Sequence, residues 1–125
     1  MAAAPVILFV DDEKRLWEIY RARFGPLGYS LKFAEDGFAA VTAVREGKVD
    51  LVIMDLNMPH VDGQLGIEVI RELNATVPIL VVSGYLVPEQ TEQGIPGATA
   101  VFAKPVDLAK LQAAVETAVG KPPRA

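Results

Sequence analysis

The chain has 125 residues, the size of one domain, and its 51% hydrophobic and 22% charged fractions suit a globular protein with a sizeable core. With no cysteine and one histidine, His60, it has no disulfide framework, no thiolate or imidazole metal cluster and no cysteine nucleophile, so any metal must be held by oxygen. A net charge of −4 argues against direct nucleic-acid binding, and no apolar run reaches the roughly 18 residues that cross a bilayer. The opening "MAAAP" lacks the charged start and apolar stretch of a signal peptide, so the cytoplasm is the expected compartment, without a membrane partner.

Taken in chain order, five short apolar runs read as strands: Val6–Val10, 31–34, Leu51–Met54, 79–82 and Ala100–Ala103. The first, third and fourth are continuous and rich in β-branched residues, as strands buried on both faces are, and the second, interrupted by Lys32, alternates like an edge strand. Helical spacing lies between them. After Asp12 it falls on Leu16, Ile19, Tyr20 and Phe24 until Gly25, Pro26 and Gly28 stop it. It recurs on Phe38, Val41 and Val44 before Gly47, and on Leu65, Val69 and Leu73 after Gly63. In the last segment, 107–119, Asp107 is a natural N-cap, Leu108, Leu111, Val115 and Val119 form the apolar line, and Gly120 ends it.

The fourth connection, 84–97, is the weak link, because Pro88, Gly94, Pro96 and Gly97 leave room for a helix of two turns at most. The alternation predicts an α/β fold, a doubly wound parallel sheet with right-handed crossovers and a short or irregular fourth helix. One domain is expected over residues 1–120. Residues 121–125, "KPPRA", read as a disordered tail or the start of a linker.

In such sheets the ligand site lies beyond the carboxyl ends of the strands. Asp11 and Asp12 follow the first strand, Asp55 the third, Ser83 and Gly84 the fourth, and Lys104 and Pro105 the fifth. Two carboxylates held about 4 Å apart repel by up to about 4 kcal/mol at an effective dielectric near 20, so the acidic pair calls for a cation. Carboxylates without imidazole or thiolate favour a hard divalent ion that keeps waters and a phosphate oxygen, which is Mg²⁺ chemistry, with Mn²⁺ as the alternative. A carboxylate beside that ion can attack phosphorus, and Asp55, the most isolated of the three, is the best placed. Lys104 and Ser83 are the groups available to neutralise and hydrogen-bond a phosphoryl group.

The motifs "VDD", "DLNMPHVDG", "SGY" and "AKP", in that order at four strand ends, resemble the receiver domain of two-component response regulators over essentially the whole chain. The resemblance implies the flavodoxin-like (βα)5 fold with strand order 2-1-3-4-5. It implies Asp55 as phospho-acceptor, Mg²⁺ on Asp11, Asp12, Asp55 and the Asn57 backbone carbonyl, Ser83 and Lys104 on the phosphoryl group, and a cis Lys104–Pro105 bond. Asn57 and Tyr85 fall at the family's rate-tuning positions, and Pro59, Gly63, Gly84 and Pro105 at its loops and turns. The implied partners are a sensor histidine kinase or phosphotransfer protein as donor and a downstream protein or tethered output domain as target. The implied assembly is a monomer or a weak phosphorylation-dependent dimer. Such a domain is a signalling phospho-acceptor that catalyses only its own phosphorylation and dephosphorylation.

Two departures stand out. The family's switch aromatic precedes the lysine by three residues, where this chain has Val101, and the neighbouring Phe102 falls on the opposite face of a regular strand. The fourth segment is the other departure, with Tyr85 as a substitute aromatic. An alternative reading is a receiver-like interaction module acting without phosphorylation. An aspartyl-phosphate phosphatase fits less well, since its usual pair of aspartates separated by one residue is absent from "DDEK".

Overall fold

The computed structural model describes residues 3–56 and 63–124. Strands and helices alternate as β1 (Val6–Val10), α1 (Lys14–Phe24), β2 (Ser30–Ala34), α2 (Gly37–Glu46), β3 (Leu51–Met54), α3 (Gly63–Leu73), β4 (Ile79–Ser83), α4 (Pro88–Gln93), β5 (Ala100–Ala103) and α5 (Leu108–Val119). The five strands are parallel in the order β2-β1-β3-β4-β5, so the expected doubly wound sheet and the short fourth helix are both present. Among the described residues no helix is long and apolar enough to cross a membrane.

Strand alternation divides the core in two. Leu8, Val10, Val52, Met54, Ile79 and Val81 face α2 and α3. Ile7, Phe9, Leu51, Ile53, Leu80 and Val82 face the other way, with Tyr20 and Phe24 of α1 and Leu111 and Val115 of α5. Each buried aliphatic or aromatic side chain contributes about 1.5–3 kcal/mol by leaving water, and the central strands supply most of them.

Helical spacing located the helices, but two core faces differ from those expected. On α2 the inward residues are Gly37, Ala40 and Val44, while Phe38 is 72% exposed. On α3 they are Ile67 and Ile70, with Leu65 and Leu73 about half exposed. Gly66 lies on the same inward face as Ile67, where a Cβ would sit in ordinary contact, 3.7 Å, with the Met54 side chain. Ile19 of α1 is likewise exposed, while Tyr20 and Phe24 are buried as expected. At α5, Asp107 caps as expected, its Oδ1 accepting from the Ala109 and Lys110 N–H groups. Beyond Gly120, whose carbonyl accepts from the Tyr29 hydroxyl, the Arg124 N–H donates to the Leu27 carbonyl at 2.8 Å.

The α4 helix buries none of its own residues. It is held from its far end, where Ile95 enters the core and Gly97 fits against α3 with Arg71 Nε donating to its carbonyl at 2.9 Å. Gly97 has φ +86°, and a Cβ there would meet Ile67 Cγ2 at 2.7 Å. Gly94 has a similar φ of +80° with open space around it. Gly94→Ala is therefore expected to cost about 1 kcal/mol through backbone strain alone, and Gly97→Ala about 2–3 kcal/mol through strain and collision together. Urea unfolding of the two variants side by side checks the order.

Candidate functional site

The sheet ladder runs one hydrogen bond past the strand ends, and that extension builds the site. Val10 pairs with Met54 and Ser83 with Ala103, so the residues that follow emerge side by side. The Asp11 N–H donates to the Ala34 carbonyl (3.0 Å), the Asp55 N–H to Val10 (2.9 Å) and the Lys104 N–H to Ser83 (2.9 Å). Three chemically active residues thus have backbones fixed by the sheet although their side chains stand beyond it.

Asp11 and Asp55 are almost fully buried. Lys104 Nζ lies between them, donating to Asp11 Oδ2 at 2.9 Å and Asp55 Oδ2 at 3.2 Å. Burial alone lowers the Lys104 pKa, but its hydrogen bonds and charge attraction to the two carboxylates outweigh this and leave it above the ordinary 10.5. Asp12 is exposed, and oxygens of Asp11, Asp12 and Asp55 all lie within 4.8 Å of one another. All three are hard ligands on an open rim, a donor set that fits Mg²⁺ with remaining positions for water or phosphate oxygen. A cavity of about 180 Å³ lined by Asp12, Glu13, Asp55, Gly84, Tyr85 and Lys104 gives access.

Ser83 is fully buried at the end of β4, and its Oγ accepts from the Tyr85 N–H at 3.3 Å. Tyr85 itself is 82% exposed at the cavity wall. A Cβ on Gly84 would touch nothing within 4 Å, so the mouth is open there. The Lys104–Pro105 bond is cis, as the resemblance implied. Glu13 is the residue before α1, with no side-chain capping bond, and its N–H donates to Asp11 Oδ1 at 2.9 Å. Val101 packs toward α2 and α3 and Phe102 toward α1 and α5, so the two do lie on opposite faces. Gly63 opens α3, while Asn57, Pro59, His60 and Asp62 lie outside the described residues.

Two residues of α1 beneath the site carry no functional signal in the sequence. The Trp17 Nε1–H donates to the Asp11 carbonyl at 2.8 Å. Tyr20, stacked on Phe9 with ring centres 4.6 Å apart, has a buried hydroxyl with no hydrogen-bond partner. Burial, then the nearby Asp11 charge, pushes its pKa up to about 12. Neither role has a signal in residue type or spacing; both follow from how α1 docks.

The comparisons agree with this geometry. Residues 7–116 match the family model described as the response regulator receiver domain. The transcriptional regulatory protein ZraR of Escherichia coli K12 is 34% identical over 90% of this chain, and the sensor histidine kinase RcsC of Salmonella typhi 32% identical over 86%. The chain spans only 26% and 11% of the lengths of those two relatives. Among solved structures, a signal receiver domain of an HD domain-containing protein from Pseudomonas fluorescens Pf-5 superposes with a TM-score of 0.85 at 26% identity, covering 95% of this chain and 89% of that one. The Thermotoga maritima response regulator TrrA, solved in complex with Mg²⁺-BeF, gives 0.81 at 26% identity, covering 90% and 97%.

Removing the ammonium leaves two buried carboxylates facing each other. Lys104→Met is expected to destabilise the metal-free protein by about 2 kcal/mol at neutral pH, less than for a fully buried pair because the lysine is partly solvated. Because the folded-state pKa is raised, this contribution is fully present below pH about 10.5 and is lost as pH rises through the folded value. Urea unfolding of both proteins across pH 7 to about 11.5 reads the difference.

Proposed function

The chain belongs to the response regulator receiver domain family, and from that premise we propose that it is a phosphorylation-dependent signalling receiver in which Asp55 takes a phosphoryl group from a phosphohistidine on a histidine kinase or phosphotransfer protein. The observation that carries this reading is the placement of Asp55: buried at the tip of β3, hydrogen-bonded to Lys104, and within reach of the Asp11–Asp12 pair.

In the transfer, an Asp55 carboxylate oxygen forms the new P–O bond while the P–N bond to the donor's imidazole breaks, the imidazole nitrogen keeping the bonding pair. Asp11, Asp12, Asp55 and the Asn57 backbone carbonyl would hold Mg²⁺, which when bound neutralises phosphoryl charge; Mn²⁺ would serve in its place. Lys104 lets go of one carboxylate and pairs with a phosphoryl oxygen. The Ser83 hydroxyl donates to another, and its oxygen, which accepts from the Tyr85 N–H, couples the site to the segment that follows. Tyr85 lines the same cavity as Asp55 and, with Asn57 two residues after the acceptor in sequence, would tune water access to the acyl phosphate.

Output runs through that fourth segment. The family's aromatic switch position holds Val101, a side chain without a polar tip to trade between two environments, whereas α4 buries nothing of its own and adjoins the Ser83–Tyr85 turn. The receiver then acts on a downstream protein or a tethered output domain by a change in the surface of residues 84–97.

Intact mass after incubation with Mg²⁺ and acetyl phosphate is the direct test. A Mg²⁺-dependent gain of one phosphoryl group, absent in Asp55→Asn, is expected; no gain from either acetyl phosphate or a phosphohistidine donor would favour an interaction module that works without phosphorylation. Amide hydrogen exchange compared with and without Mg²⁺ and beryllofluoride is expected to change across residues 84–103, and an unchanged segment would remove it as the output element.

A further inference from the structure

Every polar group of Asp11 is engaged. Its N–H donates to the Ala34 carbonyl, Oδ1 accepts from the Glu13 N–H, Oδ2 accepts from Lys104, and its carbonyl accepts the Trp17 indole N–H at 2.8 Å. The last of these contacts has a geometric consequence. That carbonyl belongs to the peptide joining Asp11 to Asp12, and because a peptide unit is planar, holding its oxygen fixes how the two residues are turned relative to each other. The ladder bond at the end of β1 uses the Val10 carbonyl and the first turn of α1 uses that of Glu13, so the Asp11 carbonyl falls between strand and helix.

The indole is itself well anchored. Its ring stacks on Phe33 of β2 with centres 5.3 Å apart, and Phe33 stacks at 5.4 Å on Phe9, which is fully buried in the central sheet. The Lys14 ammonium lies over its ring at 5.5 Å. A short aromatic column therefore runs from the core to the one peptide that orients the acidic pair.

We propose that Trp17 is a positioning residue for the acidic pair: by holding the Asp11–Asp12 peptide it sets the geometry in which the two carboxylates take a divalent cation. The inference rests on the reading of Asp11 and Asp12 as metal ligands. It assigns Trp17 to cation affinity and leaves phosphoryl transfer itself to Asp55, Lys104 and Ser83, so the effect of losing the N–H disappears once the cation saturates the site.

Trp17→Phe keeps an aromatic ring for the stack and removes the donor. Calorimetric titration with Mg²⁺ of the full, unphosphorylated chain is expected to give about tenfold weaker binding in the variant. Acetyl phosphate labelling of Asp55 is expected to slow at low Mg²⁺ and return to the parent rate at saturating Mg²⁺, with both proteins fully folded by circular dichroism under the assay conditions. Trp17 is the one tryptophan of the sequence, so its emission in the parent is expected to follow the calorimetric Mg²⁺ curve. Equal Mg²⁺ affinity in parent and variant, an emission that ignores Mg²⁺, or a fall in the saturating rate each overturns the positioning role while the receiver reading stands. A parent that binds no Mg²⁺ overturns both.

Discussion

The ammonium of Lys104 between the carboxylates of Asp11 and Asp55 is the contact on which the site depends. Two nearly buried acids at neighbouring strand tips would repel each other, and neither can retreat, because each backbone is tied to the adjacent strand by a hydrogen bond. The lysine makes that arrangement tolerable in the absence of a metal. It arrives from the far side of β4, and its own N–H is held by the Ser83 carbonyl, so the fold delivers the countercharge with the same ladder that delivers the acids.

Support around this contact is uneven. On the α1 and α5 side, Trp17, Phe33, Phe9, Tyr20 and Phe24 form a chain of ring contacts that reaches the base of the site. On the other side, α4 contributes no buried residue and depends on Ile95 and Gly97 for its attachment. Local opening costs least where few apolar contacts must be given up, so a change in the Ser83–Tyr85 turn is transmitted more readily into 84–97 than into α1. One wall is therefore suited to holding ligands in place and the other to moving.

The strands were legible because continuous β-branched runs have few alternatives, and the acidic rim was legible because Asp11, Asp55, Ser83 and Lys104 each directly follow or end such a run. The inward faces of α2 and α3 were not. Their apolar residues allow more than one line at helical spacing, and the docked helices turn Ala40 and Val44, and Ile67 and Ile70, inward while Phe38, Leu65 and Leu73 face outward. The contact of Trp17 with Asp11 was hidden for a related reason. It joins a side chain to a backbone oxygen six positions away, across a strand-to-helix turn whose angle sequence does not specify. Patterns of residue type reveal which groups meet at a rim; they do not reveal which neighbours orient those groups.

Counting charge shows why metal and phosphoryl group belong together on the proposed reading. Asp11, Asp12 and Asp55 against Lys104 leave an excess of negative charge at the rim, and phosphorylating Asp55 to the acyl phosphate would replace one carboxylate charge with about two on the phosphoryl group. Lys104 alone cannot balance that increase. A divalent cation held by Asp11, Asp12 and Asp55 would supply that balance, and with Asp11 so engaged Lys104 would be available to the phosphoryl oxygens. On that reading the lysine would serve both states with one change of partner: it bridges the two acids here and would neutralise the phosphoryl group once Asp55 carries it. Because its backbone N–H is held by the Ser83 carbonyl, such a change of partner would be felt first at the start of the loosely held segment.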